Sequence, residues 1–348
     1  MFDLKARRRF LDKPVDPVRI DPSNDVSALL RGMASTAFQG KNLALAADVW
    51  EEMLRAEATV LFGLAGAMVP AGMRRVMVHL IEKRRIDCLV STGANLFHDI
   101  HETLGRRHWQ GTPHVNDSAL RDAGLDRMYD VYAKEEEFND TDKYIYDFAA
   151  GLERRPYSTR EFFRLMGEDL CRAGSEEGIL TAAFKAGVHV YCPALGDSSI
   201  GIALAMHDGD DRNVIFDIIG DVRETAHIVS TAPATGIVFV GGGTPKNYIQ
   251  QTEVTADMMR KHSPGHKYAV QVTSDAPHWG GLSGCTFEES QSWGKIARDS
   301  RRVTVNCDAT IALPILATAL SQRLDGYERK LPDMSLEGAQ RVESRIWQ

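Results

Sequence analysis

The first stretch that could do chemistry is Ser292-Trp293-Gly294-Lys295-Ile296, a lysine behind an indole and a glycine. An ammonium beside apolar surface loses hydration, which favours the neutral amine that imine chemistry requires. Glu289 lies six residues earlier. On a continuous helix that spacing is about 240° of rotation, so the two would share no face. Their cooperation would need a substrate between them or a second subunit.

Four further segments place small or acidic residues where a strand should end: Ser91 to Asn95, Asp197 to Gly201, Gly241 to Thr244, and Asp308-Ala309. If the strands are parallel, these turns share one edge of a sheet. That edge would offer backbone N–H groups to a pyrophosphate and carboxylates to ribose hydroxyls. The G-x-G-x-x-G fingerprint is absent, so the standard dinucleotide loop is excluded. A nucleotide-type ligand is the favoured reading, and simple chain turning the plain one.

His98, His101, His108 and His114 cluster in sequence. Spacing of three puts His98 and His101 on one helix face but is not H-E-x-x-H. No cysteine or second carboxylate pair accompanies them. A metal centre is therefore the lesser reading, and His98 and Asp99 are read as polar residues lining a site.

Periodicity supplies the elements that would position these groups. Residues 26–38 and 43–64 have helical apolar spacing, as do 73–82 and a segment starting near Leu96. Residues 86–91 are a near-continuous apolar run, as expected of a strand buried on both faces. Residues 105–162 are more polar, with helices expected at 141–152 and 159–173, and Lys134 to Glu137 as solvated surface. Beyond Gly187, strands are expected at 188–192, 237–240, 268–272 and 303–306, with a further apolar run at 214–218. Helices are expected at 221–230, from Lys246 to about Arg260, at 287–297 and at 309–324. Alternating strands and helices predict an α/β fold, a Rossmann-like, mostly parallel sheet with helices on both faces. No linker divides the chain. Residues 1–348 read as one domain, with 1–25, which holds Pro14, Pro17 and Pro22, as an extended arm.

Composition narrows the function classes. A net charge of -7 argues against a nucleic-acid partner. The one basic cluster, Lys5-Ala6-Arg7-Arg8-Arg9, is read as solvated. Five dispersed cysteines without a C-x-x-C pair suit a reduced, cytoplasmic protein and no zinc site. No apolar run approaches a membrane span, and the N-terminus lacks a signal-peptide core.

The Ser292–Ile296 core, the strand after it and Asp308-Ala309 together resemble deoxyhypusine synthase. Gly241-Gly242-Gly243 followed by Lys246, Tyr268-Ala269-Val270, and Pro193-Ala194-Leu195 with Asp197, Ser199 and Gly201 are similar to that family too. The resemblance runs in order from about Ala58 to Ser321. It implies a Rossmann-like NAD-binding sheet in a homotetramer with active sites between subunits. It also implies a reaction: an aminobutyl group from spermidine is held as an imine on a lysine, then passed to an acceptor amine. The matching lysine is Lys295. The positions matching the NAD contacts are Thr92, Gly93, Ala94, Asp197, Gly241, Gly242, Ser274, Asp275, Asp308 and Ala309. Glu289 and Trp293 match substrate-pocket positions.

Four departures stand out. The family's acid pair for the polyamine's far amine is replaced by Ile202 and Leu282, its histidine by Asn247, and its NAD-contacting glutamate by His98. These resemble the changes of the bacterial deoxyhypusine synthase-like branch, some of whose members are thought to make homospermidine. A buried ammonium without a counter-ion is costly, and Asp275 and Asp99 are candidates to replace the lost charge. The expectation is an NAD-dependent alkylamine transferase acting through Lys295. Asp197 and Asp308 would hold the ribose hydroxyls, and Glu289 and Trp293 the substrate chain. His98 or Asn247 would orient the reacting amine. The acceptor is expected to be a small diamine, with a protein lysine as the alternative. The rival from another class is an NAD-binding protein without transferase activity.

Overall fold

A computed structural model of the chain describes residues 7, 10, 11, 13–206 and 214–336. Lys5, Ala6, Arg8 and Arg9 of the basic cluster lie outside the described residues. Of the expected arm, residues 13–25 carry neither helix nor strand and are mostly exposed.

Six strands form a parallel sheet: β1 (Thr59–Leu64), β2 (Cys88–Ser91), β3 (His189–Tyr191), β4 (Thr235–Val240), β5 (His266–Thr273) and β6 (Ile296–Asn306). Their order is β6-β5-β4-β1-β2-β3, with every neighbouring pair parallel. Read from the other edge this is 3-2-1-4-5-6, the order of dinucleotide-binding sheets. Its direction of winding reverses between β1 and β4, which opens a crevice at their carboxyl ends.

The strands are continuous apolar runs because both faces are covered. Leu61, Ile237 and Phe239 turn to one core, with Phe287 and Ile296. Their alternate neighbours Val60, Phe62, Val238 and Val240 turn to the other, larger core. Helices Ile218–Thr231 and Gly243–Met258 cover the first face; Phe38–Arg55, Arg74–Glu82, Gly93–Thr103 and Ala309–Arg323 are among those covering the second. Each fully buried Phe or Leu here contributes roughly 1.5–3 kcal/mol of transfer free energy.

Several sequence expectations need correction. The helical reading of 43–64 merged two elements: the helix Phe38–Arg55 ends before β1, the strand at the centre of the sheet. A strand buried on both faces has no period-two signal to separate it from a buried helix. The expected helix 287–297 stops at Ser292, and Trp293-Gly294 turns the chain into β6. The run at 214–218 supplies only Ile215–Phe216, which pairs with Pro156–Tyr157 outside the main sheet. The polar middle contains a three-stranded antiparallel sheet of Trp109–Gln110, Leu125–Met128 and Val131–Lys134. The expected helix 159–173 is present as Thr159–Ala173. Among the described residues, no helix is long and apolar enough to cross a membrane.

Candidate functional site

Because the sheet is wholly parallel, the four small or acidic turns do lie along one edge. The turn after β2 holds Thr92, Gly93 and Ala94, and that after β4 holds Gly241 and Gly242. Ser274 and Asp275 follow β5; Asp308 and Ala309 follow β6; Asp197 lies in the turn after β3. The helices Gly93–Thr103 and Gly243–Met258 start there with no side-chain cap at Thr92 or Gly242. Gly243 N donates to Ser283 Oγ and Pro245 has no N–H, so Thr244 N and the first-turn N–H groups of Gly93–Thr103 are those left without a helix partner, as an anion site requires. Gly242 packs so closely that a Cβ would lie 2.3 Å from Ser283 Cα. A dinucleotide fits such a bare-backbone cradle. Asp308 is exposed and uses one oxygen, Oδ1, to accept from Thr310 N and Oγ1, each at 2.7 Å. Those bonds hold its carboxyl below the usual range. It also lines a cavity of about 780 Å³ with Met68, Gly72, His108, Trp109 and Tyr129.

Lys295 is not on that edge. Its carbonyl accepts from His266 N, 3.1 Å, at the amino end of β5. The chain reaches it through Gly294, whose φ of 73° suits glycine. The Lys295 amine lies 5.4 Å from the centre of the Trp293 ring, within cation–π range. Trp293 itself is 67% exposed. Glu289 is exposed in the first turn of the helix Phe287–Ser292, whose cap Thr286 accepts from Glu289 N at 3.0 Å. With the helix broken at Trp293, the rotation argument that separated Glu289 from Lys295 no longer applies.

The group that joins these residues is Lys246, on Gly243–Met258 and 1% exposed. Its amine donates to Gln271 Oε1 at 2.9 Å and to the Cys285 carbonyl at 2.5 Å. Gln271 Nε2 donates to the Gly241 and Ser283 carbonyls, at 2.9 and 2.8 Å. The buried amine thus ties the segment after β5 to the turn after β4. Burial pushes Lys246 down to about 8; Cys285, Glu289 and Asp275 act against that shift and Lys295 adds to it. Asp275, Cys285, Glu289 and Lys295 are therefore each within electrostatic reach of the buried Lys246 amine. Sequence marked Lys246 only as part of a motif. Its cage of carbonyls forms from residues 25 and 39 positions away, which no local pattern reveals.

His98 belongs to a different neighbourhood. Its helix packs on the larger core, whereas Phe287 and Ile296, which flank Lys295, pack on the other. His98, His101 and His108 gather around Phe138, while His114 is exposed and apart. Among the described residues no group of His, Cys, Asp and Glu has the arrangement of a metal centre. Glu137, expected as plain surface, lies 4.0 Å from His101 Nε2. Asn247 is half-buried on Gly243–Met258, one residue beyond Lys246.

Asp99 is not a free site carboxylate. It is fully buried, pairs with Arg74 Nε at 3.0 Å and accepts from Ile179 N and Leu180 N at 2.7 and 3.0 Å. Its charge caps the helix Ile179–Ala186 and cannot serve a ligand. Of the two candidates, Asp275 remains within electrostatic reach of Lys246.

Burial, then the neighbouring His108 and His101, pushes His98 down to about 3. Burial, then His108 and Arg106, pushes His101 down to about 4. An imidazole depressed in the fold contributes stability above its unfolded value near 6.5, and that contribution is lost as pH falls through the folded value. The wild type should therefore lose stability relative to His98→Gln as pH drops from 6.5 toward 4. Urea midpoints of both proteins at pH 7, 6 and 5 would show it; parallel curves would contradict it.

The strand order and the carboxyl-edge turns are those of the dinucleotide-binding class of α/β sheets. A profile of the deoxyhypusine synthase family matches residues 28–320, and the chain belongs to that family. It is 50% identical over 336 residues to "Probable deoxyhypusine synthase 2" of Methanosarcina mazei, covering 96% of this chain and 97% of the relative. It is 37% identical to the "Deoxyhypusine synthase-like protein" of Coxiella burnetii, covering 88% and 86%. The fold matches the crystal structure of "a putative deoxyhypusine synthase from Entamoeba histolytica" with a TM-score of 0.62 at 18% identity, covering 92% of this chain and 100% of that one.

Proposed function

We propose that this chain is an NAD-dependent transferase that moves an aminobutyl-type group from a polyamine, through an imine on Lys295, to a small diamine, as in homospermidine synthesis. One observation carries the reading: the Lys295 amine stands over an exposed indole, within electrostatic reach of a buried second lysine that Glu289 also influences.

The cofactor would lie along the carboxyl edge, held by Thr92, Gly93, Ala94, Asp197, Gly241, Gly242, Ser274, Asp275, Asp308 and Ala309. NAD supplies a hydride acceptor for the donor amine carbon and returns the hydride at the end, so the overall reaction is redox-neutral. The protein's part is nucleophilic. Lys295 Nζ adds to the activated carbon of the donor, the C–N bond to 1,3-diaminopropane breaks, and that amine leaves with the proton. The acceptor amine then adds to the lysine imine and releases Lys295. Glu289 would bind an ammonium, and Trp293 would pack on the methylenes. Asn247 and His98 would orient the reacting amines.

Ile202 and Leu282 support a changed substrate end. They are 63% and 48% exposed, alongside Trp279 at 72% and Trp293 at 67%. Large apolar groups left open near a site suit a second copy of the chain that completes it. We therefore read the active unit as a homotetramer in the cytoplasm, with the whole chain as one catalytic domain.

A second reading takes a protein lysine as acceptor. The relative at 50% identity, a probable deoxyhypusine synthase, favours it. Incubating the purified protein with NAD, spermidine and putrescine, followed by mass spectrometry, separates the two. Homospermidine together with 1,3-diaminopropane is the expected result. Modification of a hypusine-type acceptor protein with putrescine ignored would replace the diamine reading. NAD binding without turnover of any polyamine would leave only the non-catalytic alternative.

A further inference from the structure

The histidine cluster holds a directed chain of hydrogen bonds that the reaction above does not explain. His108 Nδ1 lies 2.7 Å from Glu102 Oε1, and His108 Nε2 lies 3.0 Å from His98 Nδ1. Glu102, His108 and His98 therefore stand in line. The chain has one consistent assignment when both rings are neutral. An ionised carboxylate only accepts, so His108 Nδ1 carries the proton. His108 Nε2 is then a lone pair, and His98 Nδ1 must donate to it. That leaves His98 Nε2 as a lone pair.

The surroundings favour this neutral assignment. The second oxygen of Glu102 lies 3.6 Å from Arg74 Nη1, a guanidinium that also pairs with Asp99 and Glu176. Arg106, His101 and Phe138 close the remaining sides, with Glu137 beyond His101. The two rings meet edge-on, with centres 4.9 Å apart, and both lie tilted against Phe138, which restrains them from turning. His98 Nε2 has no partner among the described residues and is not one of the enclosed orphan atoms, so it reaches the surface. The ring's partner His108 lines the cavity that Asp308 also borders.

We propose that Glu102 and His108 are positioning residues whose relay holds His98 with Nε2 as a hydrogen-bond acceptor, and that this acceptor takes an N–H of the substrate amine. The second half rests on the transferase reading. A free imidazole is a donor or an acceptor as its tautomer allows; the relay removes that choice. An acceptor at this point selects a ligand that presents N–H and rejects one that presents a carbonyl. His98 would thereby supply, as a neutral acceptor, part of the recognition that Ile202 and Leu282 cannot give.

The relay is tested in the intact protein labelled with 15N-histidine, with His98 assigned through His98→Gln. At pH 8, wild-type His98 should have Nδ1 protonated and Nε2 bare. His108→Phe should let the Nε2-protonated form appear; His108→Gln takes its place if the phenyl variant does not fold. A wild-type His98 protonated on Nε2 would overturn the relay. With spermidine as the probe, His108→Phe and His98→Phe should each raise KM by about tenfold, the scale of one lost hydrogen bond in a desolvated site. The double variant should be no worse than His98→Phe, because His108 acts through His98. Additive losses would overturn the link. If the wild type turns over no spermidine, the transferase reading fails on its own, and the tautomer measurement alone decides the relay.

Discussion

Replacing Lys295 with alanine should lower aminobutyl transfer from spermidine by about three orders of magnitude or more, the scale seen when a covalent nucleophile is deleted. The turns proposed to hold NAD lie at the carboxyl ends of the strands, whereas Lys295 precedes β6 at its amino end, with its carbonyl bonded to His266 N. NAD affinity should therefore change little in Lys295→Ala. Lys295→Arg keeps the charge over the Trp293 ring but has no neutral amine at working pH, and it should be as inactive as the alanine variant. Borohydride added to the wild type with NAD and spermidine should trap a mass increment on Lys295 and on no other lysine. Lys246 is the internal control. It is buried among carbonyls and 1% exposed, so it cannot reach a substrate carbon. Normal transfer by Lys295→Ala, or an adduct on Lys246, would refute the mechanism.

Arg329→Met should cost about 3–5 kcal/mol of folding stability, because it strips a buried carboxylate of its principal cation. The segment after the last helix returns beneath the amino ends of β1 and β2. There Arg329 donates to Asp87 at 3.0 and 2.7 Å, with side-chain exposures of 1% and 0%. It also bonds the Arg84 and Ala58 carbonyls. Asp87 accepts from Val60 N at 2.8 Å, so one carboxylate ties β1, β2 and the returning segment together. Arg84, at 3.3 Å from the other side, compensates only in part. Removing both charges, as in Arg329→Met with Asp87→Leu, should cost less than Arg329→Met alone, since no orphan charge remains. Denaturant titration measures both. A loss under 1 kcal/mol for the single variant would show that the segment is not anchored by this pair.

How much of this was legible beforehand varies by element. The helix Thr159–Ala173 shows a Ser cap and regular apolar spacing, and both are local. The strand β1 was hidden because a run buried on both sides resembles a buried helix. The helix break at Trp293 was hidden because the glycine that makes it is a single residue, and its left-handed φ is a property of the fold. Asp99 looked like a site carboxylate because it stands beside His98 near the end of a strand. Its partners, Arg74 and the helix start at Ile179, lie 25 and 80 residues away.

By itself the sequence determined the class of sheet, the turns at its carboxyl edge and the lysine behind Trp293-Gly294. Each of these is written in composition and spacing along a short stretch, where one residue's neighbours are also its neighbours in the chain. Only the tertiary structure decided which charges are free and which are satisfied. It set the strand order that opens the crevice between β1 and β4, brought Asp275, Glu289 and Lys295 within reach of the buried Lys246, retired Asp99 into an ion pair and lined up Glu102, His108 and His98. Those outcomes depend on distance and burial between residues far apart in the chain, and neither is encoded locally.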